Sequence, residues 1–349
     1  MPVVKNMHPR AARFIPALRS AFLRYRALLA AAVSLLPLAV PASAQEFTLE
    51  LDNDFVRAHH NRVTVDVRFS VVGAQTDARP PANDGEVYIS GAANDATTGR
   101  PLGFAAVAKI MHAAQYEGPG GHLQFIAAEG RANRPIKMRG VWRLWGEHGD
   151  RFVSQGAFPA PAYWRPRTNP PHVFEVHPVT HIQRDGRTVS FLEDFRFLPG
   201  FTDLTKARRT RGAFSLFERM TCRIEPGTRT TRITGSRPQF NFVQFMAELR
   251  GQPEPTPSGD GVFVRADIFD QTGRGASATE PLARDVRLVF TSGTAPEAEL
   301  RRARGDGRLR LVGFARISLT PVNEAIVSRR PFEGKLPYEI VVTSLGSGG

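Results

Sequence analysis

The chain has 349 residues and carries 46 lysines and arginines against 33 aspartates and glutamates, a formal net charge of +13 at pH 7. Its single cysteine, Cys222, excludes an intrachain disulfide, so the fold must be stabilised by buried cores. The length is enough for two domains of ordinary size, and a charge balance of this kind favours anionic partners only weakly.

Residues 1–44 are predicted to be a secretory signal and to take no part in the fold. Basic residues without any acidic one precede an apolar run from Ala27 to Val40, and Ala42-Ser43-Ala44 then predicts cleavage before Gln45. This run is shorter than the roughly 20 residues that a membrane-spanning helix needs, and no second run of that length follows. We therefore expect an exported bacterial protein, periplasmic or secreted, with no stable membrane span after signal removal.

The mature chain opens with a series of predicted strands. From Val63 to Val71 apolar residues alternate with polar ones, a period of two that is typical of a half-buried strand. Five strands are predicted at 62–71, 87–92, 104–112, 136–145 and 173–182. A short helix is predicted at 123–128. Five short strands with a helix between the third and the fourth are typical of the OB-fold.

The same order is then repeated. Residues 83–89 are echoed by 259–264, 140–144 by 313–317, and 173–176 by 337–340. The second series of strands is predicted at 240–249, 262–270, 286–291, 309–319 and 338–344. Its helix begins at the capping box Thr294 to Glu297. We predict a mainly β protein of two tandem OB-like five-stranded barrels.

The domain boundaries follow from this duplication. The first OB-like domain is predicted at 45–195, a connector at 196–238, the second domain at 239–345, and a flexible tail at 346–349. In the connector, apolar residues at helical spacing predict a short amphipathic helix that packs on one barrel. Those residues are Ala213, Leu216, Phe217, Met220 and Ile224.

The residue types that carry chemistry are unevenly distributed. All histidines and all tryptophans of the mature chain lie in the first copy, so we expect a site there and a structural role for the second copy. Aromatic residues interleaved with arginines suit stacking on bases or sugars and contact with phosphate. The predicted ligand-binding residues, in or beside the loop at 146–171, are Trp142, Trp145, Arg151, Tyr163, Trp164, Arg165 and Arg167. The alternative is that these aromatics fold the loop onto the barrel as a lid.

Glu175 and His177, with His148, are the candidates for a metal or catalytic site, because His and Glu are zinc ligand types. Strand alternation places His172 on the opposite face from Glu175 and His177. In the second copy Glu339 answers Glu175, but Val341 stands where His177 should be. The sequence therefore favours structural carboxylates over a catalytic centre, and neither a metal nor a cofactor is predicted.

The echo supplies a partner for each of these carboxylates. Arg143 and Arg316 occupy the same place in the fourth strand of each copy, beside the fifth strand that carries Glu175 or Glu339. We predict two cross-strand ion pairs, Arg143 with Glu175 and Arg316 with Glu339. If these pairs are buried, each serves mainly to fix the strand register.

Several motifs of the first copy resemble a family of exported bacterial OB-fold-like proteins of unestablished function. Members of that family end in an E-[ILV]-H-P-V motif, which Glu175 to Val179 matches here. The matching segments are 84–89, 106–110, 138–141, 147–149 and 174–179. Tyr88 stands where the family pattern has histidine, and Lys109 where it has glutamate. The resemblance implies an OB-like fold and export, without an established activity.

We therefore expect an exported, non-enzymatic binding or structural-interaction protein. Its ligand is expected to be anionic or a sugar, an oligonucleotide or an oligosaccharide, held at the loop between strands four and five of the first barrel. The alternative is a metal-dependent hydrolase that uses Glu175, His177 and His148.

Overall fold

The computed structural model describes residues 46–76, 85–113, 121–156, 170–196, 209–270, 279–302 and 307–346. All of them belong to one structural unit that spans residues 44–349. The predicted signal and the residues Asp84, Tyr163, Trp164, Arg165 and Arg167 lie outside the described residues. Across the described ranges, no helix is long and apolar enough to cross a bilayer.

Strands dominate the secondary structure. In chain order they are β1 (Glu46–Asp52), β2 (Thr64–Thr76), β3 (Val87–Asp95), β4 (Pro101–Ile110), β5 (Ile136–Leu144), β6 (Phe152–Ser154), β7 (Phe174–Arg184), β8 (Arg187–Ser190), β9 (Thr221–Pro226), β10 (Thr230–Ser236), β11 (Phe242–Pro255), β12 (Gly261–Phe269), β13 (Ala283–Thr291), β14 (Leu309–Ile317), β15 (Phe332–Lys335) and β16 (Tyr338–Leu345). The helices are α1 (Asn53–His59), α2 (His122–Arg131), α3 (Arg209–Phe217), α4 (Ala295–Arg302) and α5 (Leu319–Ser328), with a 3-10 turn at Leu192–Arg196.

The first barrel has the strand order β4-β3-β2-β5-β7, and β8 extends the sheet beyond β7. Parallel pairing of β4 with β7, in which Val107 lies opposite Glu175, closes the barrel. Helix α2 lies between β4 and β5, the third and fourth strands of this barrel in chain order, as predicted. This connectivity is that of an OB-fold.

The second barrel repeats the first. Its order is β11-β12-β13-β16-β14, closed, and β13 and β16 form the parallel pair. The backbone N–H of Glu297 donates to Thr294 Oγ1 at 3.5 Å, so Thr294 caps the start of α4 as predicted, while the Glu297 carboxylate pairs with Arg301. The predicted mainly β architecture of two OB-like barrels is confirmed.

A third sheet was not predicted. Its order is β15-β9-β10-β1-β6. It joins β1, which precedes the first barrel, and β9 and β10 of the predicted connector to β6 and β15, which lie between the fourth and fifth strands of the first and second barrels. Ile224, assigned from the sequence to a connector helix, lies in β9, because α3 already ends at Phe217. Pairings such as Glu50 with Arg232 join residues far apart in the chain, and a local period cannot reveal them.

Two echoed glycines allow strands to approach closely. A Cβ atom on Gly140 would lie 2.6 Å from the carbonyl oxygen of Pro178, and one on Gly313 would overlap the carbonyl oxygen of Val341. In each barrel this position adjoins a shift in the register between the fourth and fifth strands. The echo of Gly140 in Gly313 therefore reflects the same backbone contact.

The two barrels pack through reciprocal contacts of their fourth strands. Arg143 Nε donates to the carbonyl of Ala315 at 3.1 Å, and Arg316 Nη1 donates to the carbonyl of Trp142 at 2.9 Å. Ala315 immediately precedes Arg316 in the second barrel, and Trp142 immediately precedes Arg143 in the first. Contacts of this kind are those of a two-fold interface, here within one chain. An apolar cluster that includes Val141, Phe314 and Val341 fills the same interface.

Candidate functional site

Glu175 lies at the centre of the first-barrel site, where four side chains surround its carboxylate. Lys109 Nζ and His172 Nε2 approach Oε1 at 3.2 and 2.9 Å. Arg143 Nη1 and His177 Nδ1 approach Oε2 at 2.9 and 3.1 Å. A carboxylate offers about four lone-pair sites. Glu175 is thus saturated with donors and most stable in its ionised form.

A second carboxylate completes this arrangement. His177 Nε2 lies 2.9 Å from Glu86 Oε1, so the imidazole bridges two acidic groups. Lys109 Nζ lies 4.0 Å from Glu86 Oε2. All six side chains are buried. We call them the ionic cluster: Glu86, Lys109, Arg143, His172, Glu175 and His177.

The cluster shifts the ionisation of its members. Burial alone would raise the pKa of Glu175, but Lys109, Arg143 and hydrogen bonds from the two histidines hold it well below its ordinary value of 4.5. Burial likewise opposes ionisation of Glu86, and the contact with His177 more than offsets it, so the pKa of Glu86 is lowered. Burial would lower the pKa of Lys109, but Glu175 and Glu86 raise it. The buried charges stabilise one another.

The lowered pKa values of Glu175 and Glu86 predict loss of stability in acid. A carboxylate with a depressed pKa in the folded state stabilises the fold above its unfolded pKa, and that contribution is lost as pH falls through the folded value. We expect the free energy of unfolding, measured by urea denaturation, to decrease steadily from pH 5 towards pH 2. In the Glu175→Gln variant the decrease should be shallower, and an equally steep decrease would show that Glu175 is not responsible.

The second barrel is closed although it lacks two of the charged or polar residues of the ionic cluster. Arg316 Nε donates to Glu339 Oε1 at 2.6 Å, so the second predicted ion pair is also present and buried. His177 is two residues beyond Glu175, and Val341 is two residues beyond Glu339. Lys109 is two residues beyond Val107, which lies opposite Glu175, and Val289 is two residues beyond Arg287, which lies opposite Glu339. Val289 therefore occupies in the second barrel the position that Lys109 has in the first. The second barrel closes with valines where the first has Lys109 and His177.

The burial of the ionic cluster argues against a catalytic centre, because a substrate could not reach it. Glu175 is 2% exposed and His177 is fully buried, stacked at 4.7 Å on the ring of Phe314 from the second barrel. Within the described ranges, no group of three or more His, Cys, Asp or Glu residues is arranged to hold a metal ion. The cations Lys109 and Arg143 occupy acceptor positions of Glu175 that a metal would use.

The sequence placed His172 incorrectly with respect to Glu175. His172, expected on the opposite face, contacts Glu175 because it precedes the first residue of β7 and does not follow strand alternation. His148, a candidate partner of Glu175 only in the alternative of a metal-dependent hydrolase, stacks on His172 with ring centroids 5.1 Å apart. Burial lowers the pKa of His148, against the opposing effect of Glu147.

Three of the predicted ligand-binding residues lie in the described part of the chain: Trp142, Trp145 and Arg151. Trp142 and Trp145 are buried, and their indole N–H groups donate to backbone carbonyls of Arg62 and Phe240. Arg151 is exposed, and its carbonyl accepts from the backbone N–H of Thr48. The two tryptophans belong to the packing between barrels and offer no face to a ligand, a correction to the expectation from composition.

Cys222 lies buried on β9. Burial raises the pKa of its thiol to about 11. The thiol therefore stays protonated at neutral pH, and the protonated form is a poor nucleophile and metal ligand.

A groove of about 600 Å³ lies on the second barrel. It is bordered by β12, β13, the end of β11 and the segment 318–338 that connects the fourth and fifth strands of that barrel. In OB-folds this face, with the adjoining loops, is where ligands bind. Its cationic lining residues are Arg250, Arg265, Arg284, Arg287 and Lys335, and its acidic ones are Glu254, Asp285 and Glu324.

The sequence did not predict this groove, because the second copy lacks histidine and tryptophan. The signal that could have revealed it is that each of the first three predicted strands of that copy contains an arginine or is followed directly by one: Arg250, Arg265 and Arg287. Arg250 pairs with Arg265 on the neighbouring strand, and Arg265 with Arg287 on the next. Only the register between strands brings them into one row.

The chain was compared with known proteins. No family model and no curated protein matches it. Two solved structures of the single-stranded DNA-binding protein from Thermus aquaticus, a deletion mutant and the wild type, are 10% and 8% identical to the chain. The alignments cover 82% of this chain and 95% and 93% of those chains, with TM-scores of 0.21 and 0.20. Such low TM-scores carry no argument, and the assignment to the OB-like class rests on the observed strand order.

Proposed function

We propose that this chain is an exported, non-enzymatic binding protein that holds an oligomeric anionic ligand in the groove of its second barrel. The observation that carries this proposal is the position of the groove on the OB ligand face, lined by five cationic side chains. The chain as a whole also has more cationic than acidic residues. Five cationic side chains face three acidic ones in the lining, and an excess of cationic groups favours association with an anionic ligand.

The charges of the groove are accessible. Arg265 and Arg284 are 57% and 70% exposed in their side chains, and each also contacts one aspartate. Arg265 and Asp285 are both exposed, and such a surface ion pair is weak, so exchange of Asp285 for a ligand phosphate costs little. Each guanidinium has five N–H donors in a planar fork that matches phosphate oxygens. The groove can therefore bind an anionic chain without rearrangement of the barrel.

The first-barrel loop remains a second proposed location for the ligand. Its candidates Tyr163, Trp164, Arg165 and Arg167 lie outside the described residues, and Arg151 at its start is exposed. The two locations can be separated by asking which backbone segments a bound ligand protects.

Hydrogen–deuterium exchange makes this distinction. With a labelled oligothymidylate of about 16 nucleotides, the upper end of the site size of an OB-fold, we expect protection in 261–269, 283–291 and 318–338. Exchange at 146–171 should stay unchanged. Protection confined to 146–171 would move the site to the first barrel, and no protection anywhere at a saturating concentration of the probe would contradict the proposed function.

Export is proposed from the basic N-terminal region, the apolar run and the Ala42-Ser43-Ala44 site. Expression of the full chain in a Gram-negative host should yield a periplasmic or secreted protein that begins at Gln45. Mass spectrometry of the intact purified protein measures this directly. An unprocessed chain that stays in the cytoplasm would contradict export and leave the ligand proposal untouched.

A further inference from the structure

We infer that the groove recognises a chain of phosphate groups by charge alone, without stacking on bases or sugar rings. This inference rests on the proposed function, since it names the ligand class for the same groove. It follows from two features of the lining: a row of arginines across three strands, and aromatic rings that are already covered.

The arginine row crosses the face of the barrel. Arg250 on β11 lies opposite Arg265 on β12, which lies opposite Arg287 on β13. Neighbouring strands are about 4.8 Å apart, so three guanidinium groups are attached side by side. Like charges directly opposite one another destabilise a sheet. The charge of Arg287 is offset by Glu339, but Arg250 and Arg265 keep more than half of their side chains exposed, so their positive charge is available for ligand binding.

Nearby acids offset the row unevenly. Arg287, at one end, is 15% exposed in its side chain, lies 3.3 Å from the buried Glu339 and donates to Thr320 Oγ1 at 2.7 Å, so its charge is largely committed to the protein. The buried Asp267 contacts both Arg250 and Arg284, so one carboxylate meets two guanidinium groups. Asp285 lies 3.1 Å from Arg265 and is itself largely exposed. The side chains of Arg250, Arg265 and Arg284 are each more than half exposed, so a phosphate oxygen can accept from their N–H donors.

The aromatic rings of the groove offer no platform for stacking. The guanidinium of Arg287 lies 3.5 Å from the ring centroid of Phe263, which is buried against it. Tyr338 is also buried, and its hydroxyl donates to Glu218 at 2.7 Å. Proteins that bind single strands through their bases present exposed aromatic faces to them. In the lining of this groove, both aromatic side chains are committed to the protein.

The test compares ligands that share charge and differ in bases. Fluorescence anisotropy would measure the affinity for oligothymidylate, for an abasic phosphodiester of equal length, and for inorganic polyphosphate as a competitor. We expect the abasic oligomer to bind within about threefold of oligothymidylate, with a steep loss of affinity at high salt. Arg265→Gln should reduce the salt slope by about one, while the exposed first-barrel variant Arg139→Gln leaves it unchanged.

Each outcome is decisive. An abasic oligomer that binds at least tenfold more weakly would overturn recognition by charge alone, while the proposed function would stand. Absence of binding by all three ligands would overturn the proposed function with it. Competition by polyphosphate would identify any chain of phosphates as a ligand. Binding of the abasic oligomer without competition by polyphosphate would identify a nucleic-acid backbone as the ligand. Competition and its absence are both consistent with the inference, provided that the abasic oligomer binds.

Discussion

Replacement of Glu175 by glutamine should lower the free energy of unfolding by about 3–5 kcal/mol. Glutamine keeps the shape of the side chain but removes the negative charge that Lys109 and Arg143 share. Both cations are buried, and after the loss only the more distant Glu86, 4.0 Å from Lys109, and Glu147, 3.5 Å from Arg143, offset their charge. Urea denaturation at pH 7 measures the effect.

A matched control comes from an exposed ion pair. Asp54 is 78% exposed in its contact with Arg57, and Asp54→Asn should cost less than about 1 kcal/mol. Glu339→Gln tests the equivalent pair of the second barrel, where Arg316 is the buried partner. A loss below about 1 kcal/mol for Glu175→Gln would contradict the account of the ionic cluster.

Replacement of Trp142 by alanine should also be strongly destabilising, by about 3–5 kcal/mol. Trp142 is fully buried between the barrels, its indole N–H donates to the carbonyl of Arg62 at 2.9 Å, and Arg316 lies 3.6 Å from its ring centroid. The substitution creates a cavity and leaves the Arg62 carbonyl without this donor. Thermal unfolding of the purified variant measures the loss.

The same variant separates a packing role from a ligand-binding role for Trp142. At a temperature where both proteins are folded, the affinity for oligothymidylate should equal that of the original chain, because Trp142 does not line the groove. A variant that keeps its melting temperature but loses affinity would return Trp142 to the set of ligand-binding residues predicted from composition.

The barrels were predictable from the sequence because both signals involved are local or repeated. The alternation from Val63 to Val71 predicts β2, and the echo of Gly140 in Gly313 reflects a backbone contact that both barrels make. The third sheet was not predictable in this way, since β1 and β10 are short and lie far apart in the chain.

The site was predictable only in part. Strand alternation together with the echo placed Arg143 opposite Glu175, and the structure contains this pair. His172 was missed because the strand begins after it, at Phe174. The histidines and tryptophans of the first copy predicted a ligand site there, but in the described residues they serve largely in packing. The groove needed the register of β11, β12 and β13, which no single-strand pattern contains.

The most direct test of ligand binding in the groove of the second barrel is the affinity of Arg265→Gln/Arg284→Gln for oligothymidylate at moderate salt. Both arginines are exposed, each contacts one aspartate, and neither supports the core. The control is Arg134→Gln/Arg139→Gln, which removes the same charge from exposed ion pairs of the first barrel. We predict a loss of at least tenfold for the groove variant and less than twofold for the control. Equal losses for the two variants, or no loss for either, would contradict binding in the groove.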